Sequence, residues 1–452
     1  MTFINFFSMV VNRAGFTLTL VLAAGPVSAM GLLTAYDAAL LHDPVYLSAL
    51  AENQAGQEYK VIGRAGLLPT VEYSYGNSKN KAEQTKPGIT GLPVKTHPDY
   101  TSISNRITLR QTVFNLETFA SYRQGIAETN LSDAQFDGRR QDLIIRLVLA
   151  YTEASYAQDK LALLVAQRDA FAEQKRANDM MYKYGEGSKT DVLETEAKLD
   201  VAQAELFAAQ DQLTTALNTL NAMTGENSAH LDGLVDDFTV ESQALSVFED
   251  WQAIASNHNA KIAAGQFALV SAEEEINKSL AGHAPRVELN VTYSRSNAET
   301  LNTYQQDSTQ SSIGLQLVVP LFSGGRVSAV ARQSEANRDK VRFDLQATTS
   351  KVMIELRKQF NASRSSVTQM KALQKSVNSA TLLVQATKES VKGGMRINLD
   401  VLNSQQQLVA AKRDLAEARY NYLMVLLKLR MAAGILDLED LRAVANYFST
   451  DD

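Results

Sequence analysis

The chain contains no cysteine in 452 residues. Disulfides, thiolate metal sites and cysteine nucleophiles are excluded together. Proline is scarce too, 8 in all, with none between Pro98 and Pro285 or after Pro320. Long helices can therefore run uninterrupted through those stretches. Nor is there an excess of basic charge: 44 Lys and Arg stand against 50 Asp and Glu, for a net −6. No basic surface points to nucleic acid. The histidines His42, His97, His230, His258 and His283 are scattered, without metal-ligand spacing. "EEE" at 273–275 reads as a solvated helical face. "FSGGR" (322–326) lacks the Lys-Ser/Thr ending of a phosphate loop. It reads as a flexible joint, with Arg326 in the first helical turn. No nucleophile–base set emerges, so the chain reads as neither an enzyme nor a holder of metal or cofactor.

Long apolar runs are missing as well. After residue 29 nothing is long or apolar enough to span a bilayer as a helix. The exception is "FTLTLVLAAGPVSA" (16–29), which follows Arg13 and closes on Val27-Ser28-Ala29. Residues 1–29 therefore read as a cleaved signal peptide, with the mature chain starting near Met30. A transmembrane anchor is the competing reading, but the run is short. A membrane location would have to come from strands or partners.

What the chain does have is a duplication. "TDVLETEAKLDVA" (190–202) returns as "LDVLNSQQQLVAA" (399–411), and the spacing from Asp191 to Gly225 equals that from Asp400 to Gly434. "GLLPTVEYSY" (66–75) returns as "GHAPRVELNVTY" (282–293). "ITLRQTVFNLETFASYRQ" (107–124) returns as "LQLVVPLFSGGRVSAVARQ" (315–333). The offset between copies barely changes across these landmarks. The first copy covers 30–225 and the second 251–434. A polar, weakly periodic segment (226–250) separates them, and a tail (435–452) follows.

Within each copy the period changes. Val71, Tyr73 and Tyr75, then Ile103, Ile107, Leu109 and Val113, alternate with Glu72, Ser74, Arg106 and Arg110. Val287, Leu289, Val291 and Tyr293, then Ile313, Leu315, Leu317, Val319 and Leu321, do the same. Period two means strand. Each copy should hold one β-hairpin, about 66–113 and about 284–321, with long polar loops at 77–100 and 295–310. The period then becomes helical. Leu143, Leu147, Ala150, Ala154, Ala157, Leu161 and Leu164 step by four and three, as do Met353, Leu356, Phe360, Ser363, Val367 and Met370. This is a coiled-coil seam. Long helices are expected at about 115–184 and 323–392, each roughly 105 Å at 1.5 Å per residue. The half-helices 188–225 and 396–434, about half as long, should abut other helical stretches such as Leu32 to about Arg64. Gly225 would then be a C-cap.

A four-stranded sheet with one apolar face leaves bare edges, which neither water nor lipid tolerates. Alternating, tyrosine-rich strands suit an outer-membrane barrel wall. Four strands per chain cannot close one, so the barrel must be shared, and three chains would give a real pore. The alternative is a hairpin insert on a soluble coiled-coil rod.

These residues resemble the TolC-type outer-membrane efflux and secretion channels over nearly all of the mature chain. The resemblance rests on "AYDAALLHDPVYLSALAE" (35–52), on "GLLPTVEYSY" and its repeat, on "VVPLFSGGR" (318–326) and above all on "GGMRINLDVLNSQQQLVAAKRDLAEARYNYL" (393–423). It implies an α+β membrane protein. This would be a homotrimer whose twelve-stranded β-barrel continues as an α-helical periplasmic tunnel, with 226–250 in an equatorial collar. It implies an exit duct docked to an inner-membrane ABC transporter or proton-driven pump through a periplasmic adaptor. The start of the mature chain looks most like the type I secretion branch. The alternative is a soluble periplasmic coiled-coil adaptor or stalk.

The repeated stretch is then the turn and returning helix of a coiled-coil hairpin at the periplasmic end. Gly185, Gly187, Gly393 and Gly394 should make the turns. The family's tunnel is closed by links between coils and lined by acidic residues, and Thr190, Asp191, Arg396 and Asp400 match that pattern. Val391 stands where a linking tyrosine is expected, so the link within a chain should be missing. Asn403 replaces a second acid, leaving a single charged ring. Helix capping by Asp191 and Asp400 is the plainer reading of the same residues.

Overall fold

A computed structural model describes residues 30–89, 91–227, 230–235, 238, 247–300 and 303–449. The expected signal peptide and most of 236–246 lie outside these residues.

Two strand pairs form the sheet. Strand β1 (Thr70–Lys81) pairs antiparallel with β4 (Asp99–Phe114), and β6 (Arg286–Thr300) pairs with β7 (Thr303–Val318). The two copies join through β4 and β6, giving one four-stranded sheet of order β1-β4-β6-β7. Between β1 and β4 lies a small hairpin of β2 (Gln84–Pro87) and β3 (Pro93–Thr96). Val71, Leu109, Val291 and Ile313 are register partners and share one face. The next row, Glu72, Thr108, Thr292 and Ser312, lies on the other. Tyr73, Ile107, Leu315 and Leu317 are exposed on the apolar face, with no second layer over them among the described residues. The segments expected as polar loops are largely strand. Pairing continues from Gly76↔Ser104 to Lys81↔Asp99, and from Ser294↔Gln310 to Thr300↔Thr303. Apolar alternation reports burial, whereas the ladder needs only backbone donors and acceptors, so polar strands escape the pattern.

The helices follow the same duplication. In the first copy α3 (Leu116–Lys183, 68 residues) is followed by α4 (Lys189–Thr224, 36 residues); in the second α7 (Arg326–Lys392, 67 residues) is followed by α8 (Asn398–Ala433, 36 residues). The long helices are each about 100 Å. Each pairs with its half-helix, and α3 also packs on α8. The remaining length of α3 is covered by α2 (Pro44–Ala65), and that of α7 by α6 (Ala260–Leu280).

The N-terminal helical stretch is not continuous. It splits into α1 (Leu32–His42) and α2 at Asp43, whose carboxylate accepts from the Tyr46 amide at 3.1 Å while Pro44 takes the first helical position. Arg146 binds the same carboxylate at 2.6 Å. The second copy splits likewise into α5 (Phe248–His258) and α6 at Asn259, which caps α6 and donates to the Ala432 carbonyl at 2.9 Å. At these splits the half-helices arrive end-on. Gly225 (φ +71) lies against His42, and Gly434 (φ +79) against the His258–Asn259 backbone. A side chain there would meet both a strained φ and occupied space.

The main core lies at this middle level. Leu143, Leu147 and Tyr151 of α3 pack with Tyr422, Leu423 and Leu427 of α8. The tail is part of it. Helix α9 (Leu438–Ala445) opens with a reciprocal Asp437–Asp440 capping box and buries Leu441 and Val444. Strand β8 (Phe448–Ser449) then pairs with β5 (Gly233–Leu234).

Candidate functional site at the helical hairpin tips

Both turns close in the same way. At the end of α3 the Gly185 amide donates to Tyr182 O at 3.1 Å and the Glu186 amide to Met181 O at 2.9 Å. At the end of α7 the Gly394 amide donates to Val391 O at 3.0 Å and the Met395 amide to Ser390 O at 2.9 Å. These are Schellman closures, which need a left-handed residue after the cap. Gly185 (φ +79) and Gly394 (φ +72) supply it. The other two predicted turn glycines have different roles. Gly187 passes so close to α3 that a Cβ would come within 2.9 Å of Met181 Cβ, whereas Gly393 has ordinary φ −79.

The returning helices begin differently. Ser188 caps α4 by accepting from the Thr190 amide at 3.0 Å, while Ile397 precedes α8 with no side-chain cap. Asp191 and Asp400 are therefore not the caps. Both sit in the first turn, where a carboxylate complements the helix dipole. Asp191 and Asp400 are half-buried; Thr190, Arg396 and Asn403 are exposed. Within the single chain no side-chain hydrogen bond or ion pair joins these five among the described residues.

What does join the two hairpins is a node that the sequence reading missed. The Asn178 amide donates to Thr195 Oγ1 at 2.7 Å and to the Asp191 carbonyl at 3.2 Å. Its Oδ1 accepts from Asn398 Nδ2 at 2.6 Å and from Gln174 at 3.2 Å. Asn398 is the first residue of α8, so the second hairpin is tied to the first at the very tip. One to two turns higher Lys198 Nζ donates to Gln406 Oε1 at 2.7 Å, and Phe171, Ala202 and Leu402 pack together. Within the chain this asparagine pair ties the two hairpins, while Val391 stands where the resemblance implies a tyrosine. On the outer surface Asp179, 3.0 Å from Lys175, holds that ammonium above its ordinary range. Around the turns Met180, Met181, Tyr182, Tyr184, Met395 and Ile397 are exposed.

The tips combine charged side chains that are unpaired among the described residues, a polar tie between the hairpins, and exposed Met and Tyr side chains. Among the described residues no group of His, Asp and Glu has the spacing to hold a metal ion.

Residues 35–226 and 252–435 match the outer membrane efflux protein family. The chain is 36% identical over 422 residues to the alkaline protease secretion protein AprF of Pseudomonas aeruginosa, covering 93% of this chain and 88% of that one. It is 38% identical over 441 residues to the proteases secretion protein PrtF of Dickeya chrysanthemi, covering 96% and 94%. Its fold is similar to that of the Campylobacter jejuni CmeC outer membrane channel, with TM-score 0.78 at 16% identity over 93% of this chain and 90% of that one.

Proposed function

The chain belongs to the outer membrane efflux protein family, and from that premise we propose that it is the exit duct of a type I secretion system for proteins. Its place in the outer membrane and its transport role follow from the family and from its secretion relatives; the soluble-adaptor alternative finds no support among them. Protein cargo, of the kind named in the two protease-secretion relatives, is the finer reading. The observation behind the duct is the sheet: an uncovered apolar face and two unpaired edges top helices about 100 Å long, while no described helix can cross a membrane. Pairing β1 of one copy with β7 of the next would remove every edge, and three copies would close twelve strands into a barrel.

The tips supply the rest of the proposal. Thr190, Asp191, Arg396 and Asp400 form the gate, with cross-links between neighbouring copies where the single chain leaves them unpaired. Asn403 stays neutral beside them. The exposed Met and Tyr side chains at the turns suit an adaptor docking end-on, and the pump would be an ABC transporter. Residues 1–29 would be removed on export. Co-purification from cross-linked cells tests this: recovery of an outer-membrane trimer with an ABC transporter and adaptor is expected. Capture of a proton-driven pump instead would move the function to small-molecule efflux, and a soluble rod would end the barrel reading.

A further inference from the structure

The first described residue is anchored where the chain would start after export. Met30 pairs in parallel with Leu231, and its amide donates to His230 O at 3.1 Å. Its carbonyl accepts from the Tyr151 hydroxyl at 2.8 Å, and the same hydroxyl accepts from the Asp232 amide at 3.1 Å. Met30, Leu231 and Tyr151 are all buried in the main core. Against this junction lies the Asp232 carboxylate. A Cβ on Gly31 would come 3.1 Å from Asp232 Oδ2, so this oxygen lies beside Gly31, the residue that follows Met30. Its other oxygen, Oδ1, is shut off from solvent and accepts no hydrogen bond among the described residues. A buried acceptor in that state is costly, and a charged one more so.

We propose that the partner of Asp232 is the α-ammonium of Met30, created when the leader is removed, so that maturation itself locks the chain start into the collar. Hydrolysis of the Ala29–Met30 bond consumes one water and leaves a carboxylate on Ala29 and an ammonium on Met30. The nitrogen that held one hydrogen then holds three. One continues to serve His230 O, and another becomes available to Asp232. In the uncleaved chain the same atom is a neutral amide and the carboxylate stays unpaired. Burial alone pushes the Asp232 carboxyl above its usual range, with no cation opposing it. The groups facing it bring none. Tyr151 on α3 is a hydroxyl pushed far above its ordinary value by burial, and it accepts from the Asp232 amide. His230 lies on the same segment and is exposed.

The lock rests on the reading of residues 1–29 as a leader, and the intact mass of the purified protein tests that part separately. A chain starting at Met30 is expected; any other start overturns the lock without touching the duct. The second measurement is thermal stability from pH 6.5 to 10. The ammonium pKa, ordinarily about 7.7–8.0, is raised in the fold by the carboxylate. Its stabilisation is therefore complete below the unfolded value and lost as pH rises through the folded one. Wild-type protein should lose about 2 °C of apparent melting temperature over that rise, and Asp232→Asn should not. Because Asp232→Asn removes a buried group, a second variant keeps it: one alanine inserted between Ala29 and Met30. This moves the charge away by about 3.5 Å and leaves an amide at Met30. The same loss of pH dependence is expected. Wild-type slopes in both variants would overturn the proposal.

Discussion

Asn178 shows how much one buried side chain can organise. An amide has two donor hydrogens and an oxygen able to accept twice, and at Asn178 all four positions are used. Only a residue with both functions fits, since leucine would leave the Asn398 amide without its partner and the Thr195 hydroxyl with only the Asp191 carbonyl. Asn398→Ala removes the tie between hairpins and leaves Gln174 on the Asn178 oxygen, at a cost of about 1–2 kcal/mol. Single-channel conductance of the purified protein in a planar bilayer should rise, because the tips separate more often. Arg396→Ser should also raise it, through links between copies rather than within one. The two act at separate contacts, so their free-energy effects should add. An unchanged conductance in Asn398→Ala would remove the node from the gate, and non-additivity would merge the two links into one. Neither asparagine was legible as a site beforehand. They lie 220 residues apart, and an asparagine on a helix announces nothing alone. The turn glycines were legible because the chain cannot reverse without a left-handed residue, although Gly185 and Gly394 carry that requirement and Gly393 does not.

Elements are set by ends as much as by faces. The coiled-coil period made the long helices readable, but α1 and α2 looked like one helix because the break is a cap, not a loss of period. Asp43 does two things there, capping α2 and holding Arg146, and is itself almost fully buried. Asp43→Ala should cost about 2 kcal/mol, combining a lost cap with the loss of one of the two carboxylates, Asp43 and Asp142, that hold Arg146. Asp43→Asn should recover the capping share alone, as Asn259 caps α6 in the second copy. Denaturant melts of the purified protein would separate them, and equal melts for all three chains would refute the cap. The strands were readable only where one face is apolar. Their largely polar upper halves, Gly76 to Lys81 and Asp99 to Ser104, are held by the ladder and by polar side-chain contacts such as Asn80–Ser102 and Lys81–Asp99. Beyond them Gly91 (φ +81) turns the chain, its amide donating to Gly88 O at 2.9 Å, and a side chain there would point into open space. A short epitope inserted after Gly91 should be labelled on intact cells; labelling only after outer-membrane rupture would reverse the sheet's orientation.

At the scale of the assembly, repetition changes what a single charge can do. In the proposed trimer three Asp400 carboxylates surround the axis one turn inside a helix start. Like charges at such spacing repel, more strongly as the dielectric falls below that of water, and so favour a cation among them. The helix dipole opposes this, but its influence fades within the first turn. Among the described residues Asp400 makes no side-chain bond, so its charge is not already committed to a neighbour. Exposed Asn403, further along α8, adds no second ring. One ring should hold a multivalent cation moderately, where two would hold it tightly. The channel should therefore be cation-selective, and trivalent cations added on the periplasmic side should reduce its current. Asp400→Ala should abolish most of that block while the trimer survives heating as before. Asn403→Asp should deepen it, because a second ring would then stand in line with the first. Should the block persist in Asp400→Ala, the constriction belongs to other residues, and Asp400 would be left with its dipole role alone. A block lost together with the trimer would instead make Asp400 an assembly residue, which Asp400→Asn, equal in size but neutral, would expose by restoring the trimer without the block.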